Sequence, residues 1–181
     1  MTKGEARRLF LDYLGEHTIN GSTKNNADLI GIFNGLLSAS VMMVGRARPT
    51  RAIFHVVEED KQAEGRFFAV PVPADHAYIM RTIDEFGLPV AYQRVKDEYW
   101  FVRPCQVEYA RRPATILPTA SDSMEIDLDD NYAQLVPLQC AIFAAQSLEE
   151  YQYKVPSLQA MYNTMLDALD DTDMPTYRRV Y

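Results

Sequence analysis

The chain has 181 residues, 48% of them hydrophobic, a formal net charge of −7 and two cysteines. This suits a folded globule, one domain with an insertion or two small domains, and excludes a disordered composition. No secretory signal opens the chain, and its most apolar window, Leu29 to Val44, is too short for a bilayer and holds Asn34, Ser38 and Ser40, so a soluble protein made inside the cell is expected.

Thr2 and Glu5 have the spacing of a capping box, in which the Thr2 hydroxyl accepts from the Glu5 amide and the Glu5 carboxylate reaches back. Ala6, Leu9, Phe10, Tyr13 and Leu14 then share one face of a first helix, which Gly15 stops. Asn20-Gly21-Ser22 reads as a turn. Asn25, Asn26 and Asp28 supply the start of the longest helix, running to about Val44. Leu29, Ile30, Ile32, Phe33, Leu36, Leu37, Val41 and Val44 occupy more than one of its faces, which predicts burial on several sides. Gly31 and Gly35 stand four apart in it, and each costs about 1 kcal/mol of helix stability relative to alanine. Small residues at that spacing let another backbone approach closely, either within the chain or from a neighbouring copy.

Beyond Gly45 the period changes. Ala52–Val57 and Arg66–Val72 are rich in aromatic and β-branched residues, and the polar run Glu58 to Gly65 between them predicts a hairpin. Residues 77–83 fit a strand or a turn or two of helix, and Leu88–Tyr92, Tyr99–Val102 and Gln106–Ala110 are further strands. Prolines at 71, 73, 89, 104 and 113 favour edges, bulges and short strands. Residues 117–127 return the chain through an extended acidic linker. Tyr132, Leu135, Val136, Leu138, Ile142, Phe143 and Leu148 mark the next helix, with Pro137 either starting its regular part or kinking it. Glu149 to Val155 is a turn that makes the last two helices antiparallel neighbours. The last helix, from Pro156, carries the stripe Leu158, Met161, Tyr162, Met165, Leu166 and Leu169 and ends at Asp170. The expected fold is α+β: a small antiparallel bundle of about four helices, residues 1–50 and 117–170, with a β-rich insertion, 51–116, between its second and third helices, and an extended tail, 171–181.

The segment Asp129 to Leu148, with its acidic lead-in, the run Leu135-Val-Pro-Leu138 and its alanine-rich helix, resembles tailed-bacteriophage head–tail adaptors, the neck proteins that sit under the portal. The following helix with Met161-Tyr162-Asn163 resembles their closing helix, and the rest of the chain matches in outline. The resemblance implies a virion protein of the neck, made in the host cytoplasm, with no enzymatic activity. It implies a homo-oligomer, a dodecameric ring with the portal and other neck or tail proteins as partners, that stays monomeric until it meets the portal. DNA is then a non-specific passenger in the channel, and neither cofactor nor membrane is involved.

Residues 1–50 carry 6 basic and 4 acidic side chains, residues 51–116 carry 9 and 10, and residues 117–181 carry 3 and 11. An acidic C-terminal third excludes a groove built to hold phosphates, yet suits a wall along which DNA slides without sticking. Residues for catalysis are scarce. His17 closes the first helix, His55 lies in a strand, and His76 follows Asp75 in a loop with no nucleophile nearby. Cys105 and Cys140 stand apart with no histidine at ligand spacing, and read as buried thiols. Asp127, Asp129 and Asp130 lack the glycine and terminal glutamate of a calcium loop and instead complement the positive end of a helix. No catalytic, cofactor or metal-binding residue is therefore assigned.

Three surfaces are candidates for partners. Gly31, Gly35, Phe33, Leu36 and Leu37 are expected to pack between subunits. Trp100, between Tyr99 and Phe101, is either an outward anchor or covered within the domain. Tyr177, Arg178, Arg179, Val180 and Tyr181 concentrate the residue types of interface hot spots, and either dock on a portal subunit or a neighbouring copy, or fold back on the bundle. Two rival readings remain: a tail or baseplate module whose β-insertion recognises a partner or carbohydrate, and a small hydrolase using Asp75 and His76 beside the aromatic strand 99–101.

Overall fold

The computed structural model describes residues 1–16, 27–62 and 65–173. It is mixed α+β, with helices α1 (Lys3–Leu14), α2 (Ala27–Ala47), α3 (Asp130–Ala133), α4 (Leu135–Ser147) and α5 (Val155–Asp173). Its strands are β1 (Arg51–Val56), β2 (Phe68–Pro71), β3 (His76–Ile83), β4 (Tyr92–Val95), β5 (Glu98–Phe101) and β6 (Cys105–Arg111). The chain divides into two compact units: Met1–Arg48 with Ala114–Tyr181, which holds the helices, and Pro49–Pro113, which holds the strands.

In the helical unit α4 is apolar on every side, and ten of its thirteen residues are buried. It packs against α1, α2 and α5. Its core neighbours include Phe10 and Leu14 from α1, Phe33, Leu37 and Val41 from α2, and Leu158 from α5. Phe10 and Phe33 meet at 5.2 Å between ring centroids. The Asp129 carboxylate caps α3 by accepting from the Asn131 amide at 3.0 Å, and the chain breaks at Gln134 before α4 begins. Pro137 lies in the first turn of α4, where its missing N–H costs nothing, so it starts the regular helix and does not kink it.

The N-terminus is strapped to the linker. Thr2 and Glu5 form the expected capping box, with Oγ1 accepting from the Glu5 amide at 3.3 Å and the Thr2 amide donating to Oε2 at 2.8 Å. Gly15 takes the left-handed conformation, φ +78°, that closes α1. The buried Lys3 ammonium donates to the Pro118 and Ala120 carbonyls at 2.7 and 2.8 Å. Arg7 grips Asp122 with two bonds, 3.0 and 2.6 Å. The residues expected to be an extended linker are thus a run of turns held to the first turns of α1.

Three expectations for the helices need correction. Helix α2 is not enclosed on several sides: Leu29, Phe33, Leu37, Val41 and Val44 form one buried stripe, and Gly31, Gly35, Ala39 and Met43 are exposed on another. It is also longer than its apolar window, 21 residues with a mean hydropathy of 1.6 over an 18-residue window, enough by length and composition to cross a bilayer, a test that core helices of soluble proteins pass as well. Helix α5 runs on past Asp170 to Asp173, because aspartates weaken a helix C-terminus without the steric block that Pro175 imposes.

The strand unit holds two antiparallel three-stranded sheets, in the orders β1-β6-β3 and β2-β5-β4. Val56, Val107, Phe68, Val70, Tyr99 and Phe101 form their shared core, and Phe54 sets its ring edge-on to Phe101 at 6.4 Å. The expected hairpin of 52–57 with 66–72 does not form: β1 pairs with β6 and β2 with β5, so the segments lie in different sheets. The polar run between them contains a short 3-10 turn, Glu58–Asp60, which turns the chain out of the first sheet. Residues 77–83 belong to a strand, bulged at two points of its pairing with β6. Leu88–Tyr92 is mostly loop, and the strand forms one step later as β4, joined to β5 by a tight turn with Lys96 at φ 55°.

Lys3→Ala is expected to cost about 1–3 kcal/mol in urea denaturation, because two carbonyls lose their donor, while Arg8→Ala on the exposed side of the same helix changes stability by less than about 0.5 kcal/mol.

Candidate interaction surfaces

The helical unit leaves two helix faces open and joins them by a groove. On α2 a methyl group added at Gly31 or Gly35 would meet nothing within 4 Å, so neither glycine is there to admit a neighbour from its own chain. On α5 the buried residue of the apolar stripe is Leu158; Tyr162, Met165, Leu166 and Leu169 are half-buried and Met161 is exposed. A groove of about 800 Å³ runs between α2, α4 and α5, and Met42, Met43, Ile142, Phe143, Tyr162 and Leu166 supply its apolar wall. Methionines make such a wall adaptable. The charged side chain in the wall, among the described residues, is Arg46.

The residues expected to pack between subunits therefore separate. Gly31 and Gly35 are exposed and Leu36 is half-buried, whereas Phe33 and Leu37 are 0% exposed in the core of their own unit. Those two are corrected to core residues, since the period that makes α2 amphipathic turns them toward α4. Tyr177, Arg178, Arg179, Val180 and Tyr181 lie outside the described residues, as do His17 and the turn at 20–22.

Trp100 lies on the face of β5 opposite the sheet-facing pair Tyr99 and Phe101, and is half-buried. Its indole N–H donates to the Glu98 carboxylate at 3.0 Å and its ring meets Phe67 at 5.8 Å. Trp100 is thus partly covered by its own unit, with Phe67 extending an aromatic patch on that side.

At another edge of the strand unit the loop 84–88 presents Phe86, 77% exposed, and Leu88, 55% exposed. The loop is held rigid from beneath. The Asp84 carboxylate accepts from the Phe86 and Leu88 amides at 3.0 and 2.8 Å and pairs with Arg103 at 3.0 Å, while its side chain is only 6% exposed. Gly87, at φ +78°, supplies the left-handed residue that the turn needs. Beside it lies a second groove of about 800 Å³, lined in part by Val56, Val57, Ile83 and Pro104. The sequence reading missed this loop, although an aspartate three residues before a glycine, with apolar residues around it, is its signal.

Asp75 and His76 are brought together with three partners. The Asp75 carboxylate accepts from the Tyr109 hydroxyl at 3.0 Å and from Arg111 Nε at 2.6 Å. The buried His76 ring stacks on Tyr109 and lies 3.0 Å, at Nε2, from the Tyr99 hydroxyl, so it links β3 of one sheet to β5 of the other. The Arg111 hydrogen bond holds the Asp75 carboxyl below its ordinary value. Burial pushes the His76 imidazole down from its ordinary 6.5, and the charges of Arg94 and Arg112 push the same way, against Asp75. Among the described residues no cluster of His, Cys, Asp and Glu could hold a metal ion. Cys105 and Cys140 are both buried free thiols, which burial pushes up to about 11 and about 12. Chemically the Asp75–His76 arrangement is a polar clamp between two sheets.

The chain matches no protein-family profile and no curated protein.

Two outcomes follow. Gly31→Ala and Gly35→Ala are each expected to raise the stability of the isolated chain by about 0.5–1 kcal/mol in thermal or urea denaturation, since the added methyl meets open space and helix propensity improves. For His76 the folded state favours the neutral ring, so its contribution is complete above pH 6.5 and is lost as pH falls through and below that value. The strand unit, followed by near-ultraviolet circular dichroism, is expected to melt at a lower temperature at about pH 5.5 than at about pH 7.5, and His76→Gln is expected to flatten that dependence.

Proposed function

We propose that this protein is a head–tail adaptor of a tailed bacteriophage, a structural virion protein that forms a ring beneath the portal and joins it to the tail. In this reading the helices are an antiparallel bundle that builds the ring wall, and the strand unit is an insertion carried between the second and third bundle helices. The observation that carries it is the uncovered face of α2, where Gly31, Gly35, Ala39 and Met43 lie exposed on a helix whose opposite stripe is core. A mid-helix glycine costs about 1 kcal/mol, and two of them on an open face gain nothing inside the chain. Both become favourable where another helix must approach closely.

Three further features support the same reading. The half-covered stripe of α5 adds apolar surface of the kind that repeated subunit contacts cover. The C-terminal helices carry the likeness to neck proteins, from Asp129 through Met161-Tyr162-Asn163. Residues 117–181 have 11 acidic against 3 basic side chains, and the exposed carboxylates of Asp129, Asp130, Glu149, Glu150 and Asp167 would repel phosphates if they line the channel through which DNA passes. The tail 174–181, with its tyrosines and arginines, serves in this reading as the handle for the portal or a neighbouring copy. Asp75 is engaged by Tyr109 and Arg111 of its own sheet and His76 by Tyr99 of the other, which favours a structural role over hydrolysis.

Imaging of the particles that carry the protein tests the proposal. A label fused to the chain is expected at the head–tail junction, and particles lacking the chain are expected as filled heads and free tails that do not join. A label found on the capsid shell, at the tail tip or nowhere on the particle overturns it.

A further inference from the structure

We infer that the loop 84–88 of one copy seats in the α2–α4–α5 groove of a second copy, so that Phe86 and Leu88 are the apolar key of a head-to-tail contact. The inference rests on the ring reading given above and names its contact.

The case begins with the loop. A carboxylate with a side chain 6% exposed is an expensive support for a surface turn, since burying a charge is unfavourable unless it is paired and hydrogen-bonded. Asp84 meets both conditions, with Arg103 and two backbone amides, and what it fixes in place is a phenylalanine and a leucine in water. A rigid apolar tip loses little conformational entropy on docking, which is the advantage of preorganised recognition. Aromatic side chains set in pockets are the residues that dominate interface energetics.

The groove offers an apolar floor with a polar border. Met42, Met43, Ile142, Phe143, Tyr162 and Leu166 are its apolar and adaptable part, Gln139, Gln146, Gln159 and Asn163 its polar part, and about 800 Å³ is room for more than one side chain. The charges match as well. Glu85 is the exposed charge of the loop tip, because Asp84 is already paired, and Arg46 stands exposed in the groove wall. Because key and lock are different patches, each copy can offer its key to the next, and such heterologous contacts close into rings or run on as filaments, the arrangement that the ring reading requires.

Variants with one added cysteine test this. Glu85→Cys and Met43→Cys each place a thiol at one side of the contact on exposed positions and leave Phe86 and Leu88 in place, while Cys105 and Cys140 stay buried and protonated. At high protein concentration, a short bismaleimide is expected to join the two variants when they are mixed and not when either is alone. Leu88→Ser in the Glu85→Cys chain is expected to lower the yield about tenfold or more, as removal of one buried anchor should. No mixed product, or equal products from Glu85→Cys alone, overturns the contact. Sedimentation separates this from the ring reading: if Phe86→Ser particles and rings keep wild-type size, the loop contact is wrong and the ring stands. If the wild-type chain is monomeric both alone and in the particle, the ring reading fails and takes the contact with it.

Discussion

The helical unit depends on one constraint, that α4 has no polar side to turn outward. Leu135, Val136, Leu138, Cys140, Ala141, Ile142, Ala144 and Ala145 cover its circumference, so the helix is stable only when enclosed. Burying a leucine or phenylalanine fully is worth about 1.5–3 kcal/mol, and a helix made almost wholly of such residues must draw α1, α2 and α5 around it. Each of these lends one stripe to α4. The remaining surface of α2 and α5 is then set by what is left over: on α2 it is mostly small or apolar, and on α5 half-buried apolar residues stand beside exposed Gln159, Asn163, Thr164 and Asp167. The alanines of α4 matter here too, for they let α2 lie close and keep Phe10 and Phe33 in contact.

The strand unit solves a different problem. Six short strands in two sheets bury few large residues, and its core reaches only from Val56 to Val107 across Phe68, Val70, Tyr99 and Phe101. A polar link between sheets compensates. Tyr99 contributes its ring to that core and its hydroxyl to His76, while Tyr109 stacks on the imidazole and donates to Asp75. Because Arg111 keeps Asp75 ionised, the network has a charge-assisted anchor at its partly exposed end and a neutral, buried ring at the other. The Asp-His dipeptide, which in the sequence looks like half of a catalytic centre, is accounted for by this architecture.

How much of this was legible beforehand follows from the range of each interaction. The capping box at Thr2 and Glu5, the stop at Gly15 and the place of Pro137 are local, and the residues involved lie within a few positions of one another. The mixed α+β character and most strand segments were equally legible from the change of period at Gly45. Strand pairing was not, because β1 finds β6 some fifty positions away and nothing in Ala52–Val57 distinguishes that partner from the nearer Phe68. The α2 misreading has a related cause. Ile30, Ile32 and Leu36 are apolar but only half-buried, so composition suggested enclosure where the 3.6-residue period gives a single core stripe. On the surfaces, the sequence marked Gly31, Gly35 and Trp100 but passed over Phe86, whose meaning depends on a carboxylate two residues earlier and an arginine at 103.

Natural sequences keep local preference and global packing in agreement, and the places where they do not are informative. Here the disagreements are glycines on an open face of α2, an apolar stripe on α5 that its own unit half covers, and a phenylalanine raised into water on a braced turn. None of them helps the isolated chain: the glycines weaken their helix, and the exposed apolar groups add a risk of non-specific association. The half-covered stripe of α5 borders the groove, with Ala39 and Met43, from the glycine-bearing face of α2, on its other side. Departures from self-sufficiency on three surfaces at once are a stronger argument for the assembly role proposed above than any single exposed residue.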